Sequence, residues 1–148
     1  MTVYVDQKHS LIALADFLDT TLPAAGAFVT GNADVPRGTR YVTFWISYTR
    51  GAAGGAPVFR ASSRPSPTAT WKRMPLVDQS SLAPSPPNAS QNFYQEDHNG
   101  PVPGTGDPNA YDLTFRVPSN TVGVQLEVAE RGVPATPGTI LVEMTGAG

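Results

Sequence analysis

Apolar and polar side chains alternate along two segments of the chain. The apolar positions of these segments are Val42, Phe44, Ile46 and Tyr48, and Val122, Val124, Leu126 and Val128. Successive side chains of a strand point to opposite faces, so a period of two in β-branched and aromatic residues predicts strands with one face on a core. The same pattern predicts further strands at residues 27–30, 58–61, 71–77, 112–117 and 139–145.

The two alternating segments belong to a sequence pattern that occurs twice. "DVPRGTRYVTFWIS" spans residues 34–47, and "RVPSNTVGVQLEVA" spans residues 116–129. In each copy a proline, which cannot donate a backbone hydrogen bond, marks the end of a short strand. Gly38 and Asn120 follow two residues later, and both residue types tolerate the positive φ of a tight turn. The repeat predicts two equivalent corners of one β-sandwich, with convergence on a common strand-turn-strand pattern as the alternative.

These elements predict one all-β domain that covers residues 1–148. Several short strands separated by Gly- and Pro-rich turns favour an antiparallel β-sandwich with jelly-roll or Greek-key connections. The turns include "RGAAGGAP" at residues 50–57 and "ERGVPATPGT" at residues 130–139. The one helix candidate runs from Ser10 to Leu18, because apolar residues recur on one side of it and Ser10 can act as its N-cap.

Two further segments are predicted to reach beyond the sandwich. Residues 1–20 form an N-terminal arm with the short helix, and its extended part can pair with a sheet edge of its own or a neighbouring subunit. The residues of that part are Thr2, Val3, Tyr4 and Val5. Residues 78–110 form a Pro-rich excursion with the apolar anchors Phe93 and Tyr94. We expect the excursion to be ordered against a surface, and a flexible surface loop is the alternative.

Positive and negative charges are distributed unevenly along the chain. Residues 35–77 contain no Asp or Glu and hold seven of the ten Lys and Arg residues, although the whole chain has a net charge of −2. This asymmetry predicts that the basic region contacts an acidic protein surface or the acidic part of a sister subunit. The candidate contact residues are Arg60, Arg64 and Arg73.

Two alternatives for the basic region stay open. It could hold phosphates with the help of neighbouring aromatic side chains, or it could be neutralised within the fold by Asp97, Asp107 and Asp112. The negative total charge and the absence of a nucleic-acid-binding motif predict no nucleic-acid partner.

No motif in the sequence is typical of catalysis. The chain has no cysteine, and its two histidines, His9 and His98, lie in no nucleophile motif. "GAAGG", residues 51–55, lacks the lysine of a phosphate loop and is predicted to be a hairpin tip. "QEDHNG", residues 95–100, is predicted to be an exposed Asn-Gly turn, with a metal site as the alternative. We therefore expect no enzyme activity, no cofactor and no bound metal.

The carboxylates and the N-terminal segment bear on two further functional classes, glycoside hydrolases and membrane or secreted proteins. Glycoside hydrolysis would require the fold to bring together carboxylates such as Asp112, Glu127 and Glu130. The N-terminus lacks the basic region of a signal peptide, and its apolar run is too short to cross a bilayer. The sequence therefore predicts synthesis in the cytoplasm and no membrane partner.

The stretches "LPAAGAFVTGNADVPRGTRYVTFWISYTRGAAGGAP" and "GVQLEVAERGVPATPGTILVEMTG" resemble the small β-sandwich structural proteins of tailed bacteriophages, above all capsid decoration (cement) proteins. The resemblance implies a jelly-roll-like virion protein that binds the outer capsid surface and reinforces it. It also implies a homo-oligomer, preferably a trimer, whose partner is the major capsid protein or another shell protein. Synthesis would take place in the host cytoplasm.

A carbohydrate-binding β-sandwich of a phage fibre or adhesin is the alternative function. Its sugar platforms would come from the aromatic residues Trp45, Tyr48, Trp71 and Tyr94. Two exposed, coplanar rings would support this alternative, and aromatic side chains buried in the core would contradict it.

Overall fold

Two antiparallel sheets pack face to face in the computed structural model, which describes residues 10–78 and 97–148. The strands are β1 (Ser10–Thr21), β2 (Val29–Asp34), β3 (Tyr41–Thr49), β4 (Ala52–Arg64), β5 (Lys72–Arg73), β6 (Leu76–Asp78), β7 (His98–Asn99), β8 (Pro108–Arg116), β9 (Gly123–Thr136) and β10 (Thr139–Ala147). A short 3₁₀ helix spans Ala24–Gly26. The first sheet has the order β1-β10-β3-β8-β6, and the second has the order β2-β9-β4-β5, with β7 also paired to β4.

The pairing of the strands is nested, which gives the sandwich its jelly-roll wiring. β1 pairs with β10, β2 with β9, β3 with β8 and β4 with β7, as in one long hairpin wrapped around a core. Most connections between these strands cross from one sheet to the other. The predicted all-β antiparallel sandwich is therefore confirmed, and of its two predicted forms the strand order corresponds to the jelly roll.

One cluster of apolar side chains fills the space between the sheets. Ten of the residues that the alternation places inward are buried, whereas Val122 is only partly buried. The ten are Val42, Phe44, Ile46, Phe115, Val117, Val124, Leu126, Val128, Ile140 and Val142. Aromatic rings meet edge to face within this cluster, with 5.9 Å between the ring centroids of Phe44 and Phe115 and 6.0 Å between those of Phe59 and Tyr111. Such pairs add stabilisation beyond their buried area.

The two copies of the repeated pattern form equivalent corners that hydrogen-bond to each other. The amide of Val35 donates to the carbonyl of Val122 (3.0 Å), and the amide of Val117 donates to the carbonyl of Arg40 (2.7 Å). Val35 and Val117 occupy the same position in the two copies, and so do Arg40 and Val122. The same donor and acceptor positions are therefore used in both bonds. The strands beside the corners pair in equivalent registers too, β2 with β9 and β3 with β8. The two copies are therefore equivalent corners of one sandwich, as predicted.

Each corner is closed by the same turn. Gly38 and Asn120 have φ angles of 93° and 64°, the left-handed conformation that their residue types tolerate. The residue after each of them is a buried threonine whose hydroxyl and amide both donate to the preceding proline carbonyl. The threonine hydroxyl is 2.7 Å from that carbonyl oxygen in both corners.

The helix predicted from Ser10 to Leu18 is wrong, because this segment is the edge strand β1. Its pairing with β10 shifts register at three places, and each bulge turns the following side chains to the other face. Phe17 and Leu18 consequently both pack on the core although they are neighbours, whereas Leu14 is 59% exposed. Because the strand contains these bulges, its apolar residues do not alternate, and their spacing is also compatible with a helix.

The turns predicted at residues 50–57 and 130–139 are also wrong for most of their length. β4 and β9 continue through these Gly- and Pro-rich stretches and pair across them with two bulges. The "GAAGG" stretch is therefore not a hairpin tip but the start of β4. Gly51 and Gly138 occur where two connections touch, because a Cβ on either residue would overlap backbone atoms of the other connection.

Two more boundaries differ from the prediction. The strand expected at residues 71–77 is split into β5 and β6, which belong to different sheets, and buried Met74 lies at the crossing. The excursion predicted over residues 78–110 ends earlier, because β7 and the start of β8 lie within it. Residues 1–9 of the predicted arm and residues 79–96 of the excursion lie outside the described residues.

Candidate functional site

An arginine-rich surface covers the outer side of the second sheet. Phe59, Ala61 and Ser63 of β4 point inward, so Arg60 and Arg64 point outward. β5 pairs with β4 at Ser62 and Arg73 and brings a third arginine to the same side. Arg131 of β9 joins them through a shared carboxylate partner. We call Arg60, Arg64, Arg73 and Arg131 the arginine face, and it includes all three arginines that the sequence proposed for partner contact.

Ion pairs hold three of these arginines in place. The Nε atom of Arg60 and an Nη atom of Arg131 each lie 2.7 Å from Asp97, one on each carboxylate oxygen. Arg73 donates to the hydroxyl of Ser62 (2.6 Å) and lies 3.5 Å from Glu127. Partial burial opposes ionisation of Asp97, but the hydrogen bonds from Arg60 and Arg131 dominate and lower the pKa of its carboxyl.

Aromatic rings pack against two of these arginines. The guanidinium carbon of Arg60 lies 4.1 Å from the ring centroid of Phe28, and that of Arg64 lies 4.2 Å from the ring centroid of Trp71. Stacked guanidinium groups keep donors available at their edges while losing little conformational freedom on binding. Of the carboxylates predicted to neutralise the basic region, Asp97 does so, while Asp112 lies on the opposite side of the sandwich.

The outer side of the first sheet carries charges of the opposite sign. Asp16, Glu143, Trp45 and Asp112 lie side by side across β1, β10, β3 and β8. Trp45 is 44% exposed, and its ring nitrogen donates to the hydroxyl of Thr145 (2.9 Å). We call these four residues the acidic face. It borders a shallow depression of about 290 Å³.

A third cluster lies inside the sandwich, where a carboxylate joins two connections. Glu130 is 0% exposed. Its carboxylate accepts hydrogen bonds from the amides of Gly51 (2.9 Å) and Gly138 (2.8 Å) and from the hydroxyl of Tyr48. Burial, reinforced by the adjacent Glu130, raises the pKa of Tyr48. The cluster is structural, because these hydrogen bonds join the two connections to β3 and β9.

The carboxylates considered for glycoside hydrolysis do not come together. Glu130 is buried between the sheets, Glu127 lies on the outer side of the second sheet, and Asp112 lies on the outer side of the first. Among residues 10–78 and 97–148, no three His, Cys, Asp or Glu side chains are grouped so that they could hold a metal ion. The same part of the chain contains no helix long and apolar enough to cross a membrane.

The prediction of an exposed Asn-Gly turn around His98 is wrong. His98 is 2% exposed and pairs with Phe59 through the short strand β7, and its ring meets Phe115 edge to face at 5.7 Å. Gly100 is required after it, because a Cβ there would lie 2.5 Å from the hydroxyl of Tyr111. Burial lowers the pKa of His98 to about 4, although Asp97 partly opposes this shift.

We expect the folded protein to lose stability as the pH falls from about 6.5 to about 4. In this interval an unfolded chain binds a proton at His98, whose ordinary pKa is 6.5, while the folded chain does not. The unfolded state is therefore favoured, by up to about 3 kcal/mol at the acid end. Urea unfolding at several pH values above 4.5 measures the slope.

The control for this prediction is His98→Phe, which keeps an aromatic ring beside Phe115 and removes the titrating group. Its unfolding free energy should vary less with pH, whatever its absolute value. His9 is present in both proteins and cancels in the comparison. Equal pH slopes for the two proteins would contradict the assignment.

The aromatic residues proposed as sugar platforms are dispersed. Tyr48 is 0% exposed, which contradicts its proposed role. Trp45 lies on the outer side of the first sheet and Trp71 beside Arg64 on the second, so they share no platform. Tyr94 lies outside the described residues, as do the predicted partner-contact residues Thr2, Val3, Tyr4, Val5 and Phe93.

The described residues therefore define a jelly-roll β-sandwich with a filled interior and two charged outer faces. Comparison with protein-family models and with curated proteins finds no match. A chain in the structure of infectious bursal disease virus, Gx strain, is similar to this chain with a TM-score of 0.44 and 11% sequence identity. The similarity covers 94% of this chain and 32% of the other, so this chain spans about a third of its length. A similarity of this size carries no inference about function.

Proposed function

We propose that the chain is a structural virion protein that binds the outside of a capsid and stabilises it as a homo-oligomeric decoration protein. The observation that carries the proposal is the contrast between interior and surface. Apolar side chains fill the space between the sheets, while the outer sides carry ordered charged groups around exposed aromatic rings. Arginine and aromatic side chains are enriched in protein–protein interfaces, which supports recognition of a partner through these outer sides.

The proposed role needs no catalysis and no cofactor. The partner is the major capsid protein or another protein of the shell, and a trimer is the preferred oligomer. Neither nucleic acid nor membrane takes part. The protein is made in the host cytoplasm and resides on the capsid surface of the finished virion.

Reconstitution with shells tests this proposal. Particles of the encoding virus assembled without the gene are mixed with the purified protein, and sedimentation then measures how much protein is bound per shell. We expect saturable binding and a higher temperature of genome release, detected with a DNA- or RNA-binding dye. Shells that neither bind the protein nor gain thermal stability would refute the proposal.

Two variants test which segments mediate attachment. Deletion of residues 1–8 should weaken binding to shells, because the arm containing Thr2, Val3, Tyr4 and Val5 is proposed to pair with a sheet edge. Reversal of Arg60, Arg64 and Arg73 to glutamate should slow association most strongly at low salt. Asp97 would then face new negative charge, so unfolding measurements must accompany the binding assay. Unchanged binding by both variants would exclude these contacts.

A carbohydrate-binding module of a fibre or adhesin is the second candidate, and exposed Trp45 favours it. Its ring lies beside the carboxylates of Asp112 and Glu143, which could accept hydrogen bonds from sugar hydroxyls. A glycan array probed with the parent and with Trp45→Ala tests this candidate. Specific binding that the substitution abolishes would support it, and no binding by the parent would exclude it.

A further inference from the structure

We propose that the acidic face of one copy binds the arginine face of a second copy. The inference rests on the proposed structural function for its biological role, and it assigns the surfaces through which copies associate. The two faces lie on opposite outer sides of the same sandwich. One copy therefore offers both halves of the contact at once, and each half faces away from the other.

The charges of the two faces are complementary. Carboxylates dominate the acidic face, with Asp16, Glu143 and Asp112 in one row, although Arg116 lies farther along the same side beside Tyr41. On the arginine face three guanidinium groups bond to the two carboxylates of Asp97 and Glu127, and Arg64 stacks on Trp71. Opposite fields steer the encounter and fix the register of the two copies.

Exposed rings on the acidic face and farther along the same side of the sheet supply the apolar part of the contact. Trp45 and Tyr41 are 44% and 41% exposed, and they lie on the outer side of β3 because they are four residues apart on the same strand. Large exposed side chains of this kind are typical centres of protein interfaces. An incoming guanidinium group of the second copy can stack on Trp45 while carboxylates on both sides accept its hydrogen bonds. The intramolecular pair of Arg64 and Trp71 already has this stacked geometry.

A contact between two different faces is heterologous, so it closes into a ring or continues along a row of copies. The two kinds of contact can be distinguished by mixing variants, because an isologous contact uses the same surface on both copies and a heterologous contact uses two different surfaces. The acidic-face variant is Asp16→Asn with Glu143→Gln, and the arginine-face variant is Arg64→Gln with Arg131→Gln. Each variant keeps one intact face. The control, Arg37→Gln with Arg40→Gln, removes the same charge as the second variant from a corner outside both faces.

Sedimentation velocity over a range of protein and salt concentrations gives the outcome. We expect the parent and the control to associate, and the apparent Kd of the parent to weaken at least about tenfold between low and high salt. Each face variant alone should stay monomeric. An equimolar mixture of the two variants should form a discrete dimer, because only one pair of intact faces remains per complex. Far-UV circular dichroism and urea unfolding verify that every variant is folded.

Three results would overturn the inference. They are a parent that remains monomeric at all concentrations, face variants that associate like the parent, and a mixture that stays monomeric. The shell-binding assay is scored separately. Self-association without attachment to shells would refute the proposed virion role but not the contact between the two faces. Attachment of a strictly monomeric parent would refute that contact and the homo-oligomeric part of the proposed function, but not the binding to shells.

Discussion

Replacing Glu130 with leucine is expected to destabilise the protein by about 3 to 5 kcal/mol, enough to unfold a domain of ordinary stability. The carboxylate is fully buried and accepts three hydrogen bonds, from Tyr48, Gly51 and Gly138. Leucine would leave the amides of Gly51 and Gly138 buried without an acceptor, and the Tyr48 hydroxyl would keep only its 3.2 Å hydrogen bond to the Gly55 carbonyl. Gly51 and Gly138 lie in the connections that precede β4 and β10. Both connections would therefore lose their hydrogen bond to residue 130 in the same variant. The free energy of unfolding in urea measures the loss.

Glu130→Gln separates hydrogen bonding from volume in this experiment. Glutamine fills the same space, but its amide group would present a donor to one of the donating amides, and we expect a loss of about 1 to 3 kcal/mol. Glu127→Gln is the matched control. It is the same chemical change three residues away, on the partly exposed outer side, and should alter stability by less than about 0.5 kcal/mol. Equal losses at the two positions would contradict the role assigned to Glu130.

Truncation of the core is expected to have an effect of similar size. Phe44→Ala or Leu126→Ala should each lower the free energy of unfolding by about 2 to 5 kcal/mol, because each removes buried area and leaves a cavity. Phe44 is fully buried between Phe17 and Phe115, with ring centroids 5.1 Å and 5.9 Å away, and Leu126 is fully buried in the second sheet. Denaturation curves of the two variants measure the effect on each sheet separately.

Outward-facing neighbours on the same strands are the controls for core truncation. Thr43→Ala on β3 removes one side-chain hydrogen bond to Thr114 and should change stability by about 1 kcal/mol or less. Gln125→Ala on β9 should change it by less than about 0.5 kcal/mol. Losses below about 0.5 kcal/mol at both Phe44 and Leu126 would mean that the inward faces are misassigned.

The features predicted correctly are those that depend on local sequence. Alternation within one strand is enough to predict that Phe44 and Leu126 point inward, because the apolar positions of a strand identify its buried side. The repeated corners were predictable for the same reason, since Gly38 and Asn120 mark the turns by their own conformational preferences. Arg60, Arg64 and Arg73 were predictable as contact residues from the uneven charge distribution, but their common side follows from the pairing of β4 with β9 and β5.

The features predicted wrongly depend on partners distant in the sequence. The sequence of β1 predicts a helix because the strand contains bulges, set by its pairing with β10, and its apolar residues do not alternate. The Gly-rich start of β4 predicts a turn, although its pairing with β9 makes it a strand. No local signal marks Glu130, because its donors at Tyr48, Gly51 and Gly138 come from other strands and connections. The burial of His98 likewise depends on its pairing with β4.

Electron cryomicroscopy of the encoding virus particle would show directly whether this jelly roll decorates a capsid from outside. For a decoration protein we expect two-sheet sandwiches of this chain at symmetry-related positions on the outer surface of the shell. We also expect mass spectrometry of the same particles to find the chain in a fixed ratio to the major shell protein. Particles that lack the chain, with no such sandwich on their outer surface, would contradict the proposed function.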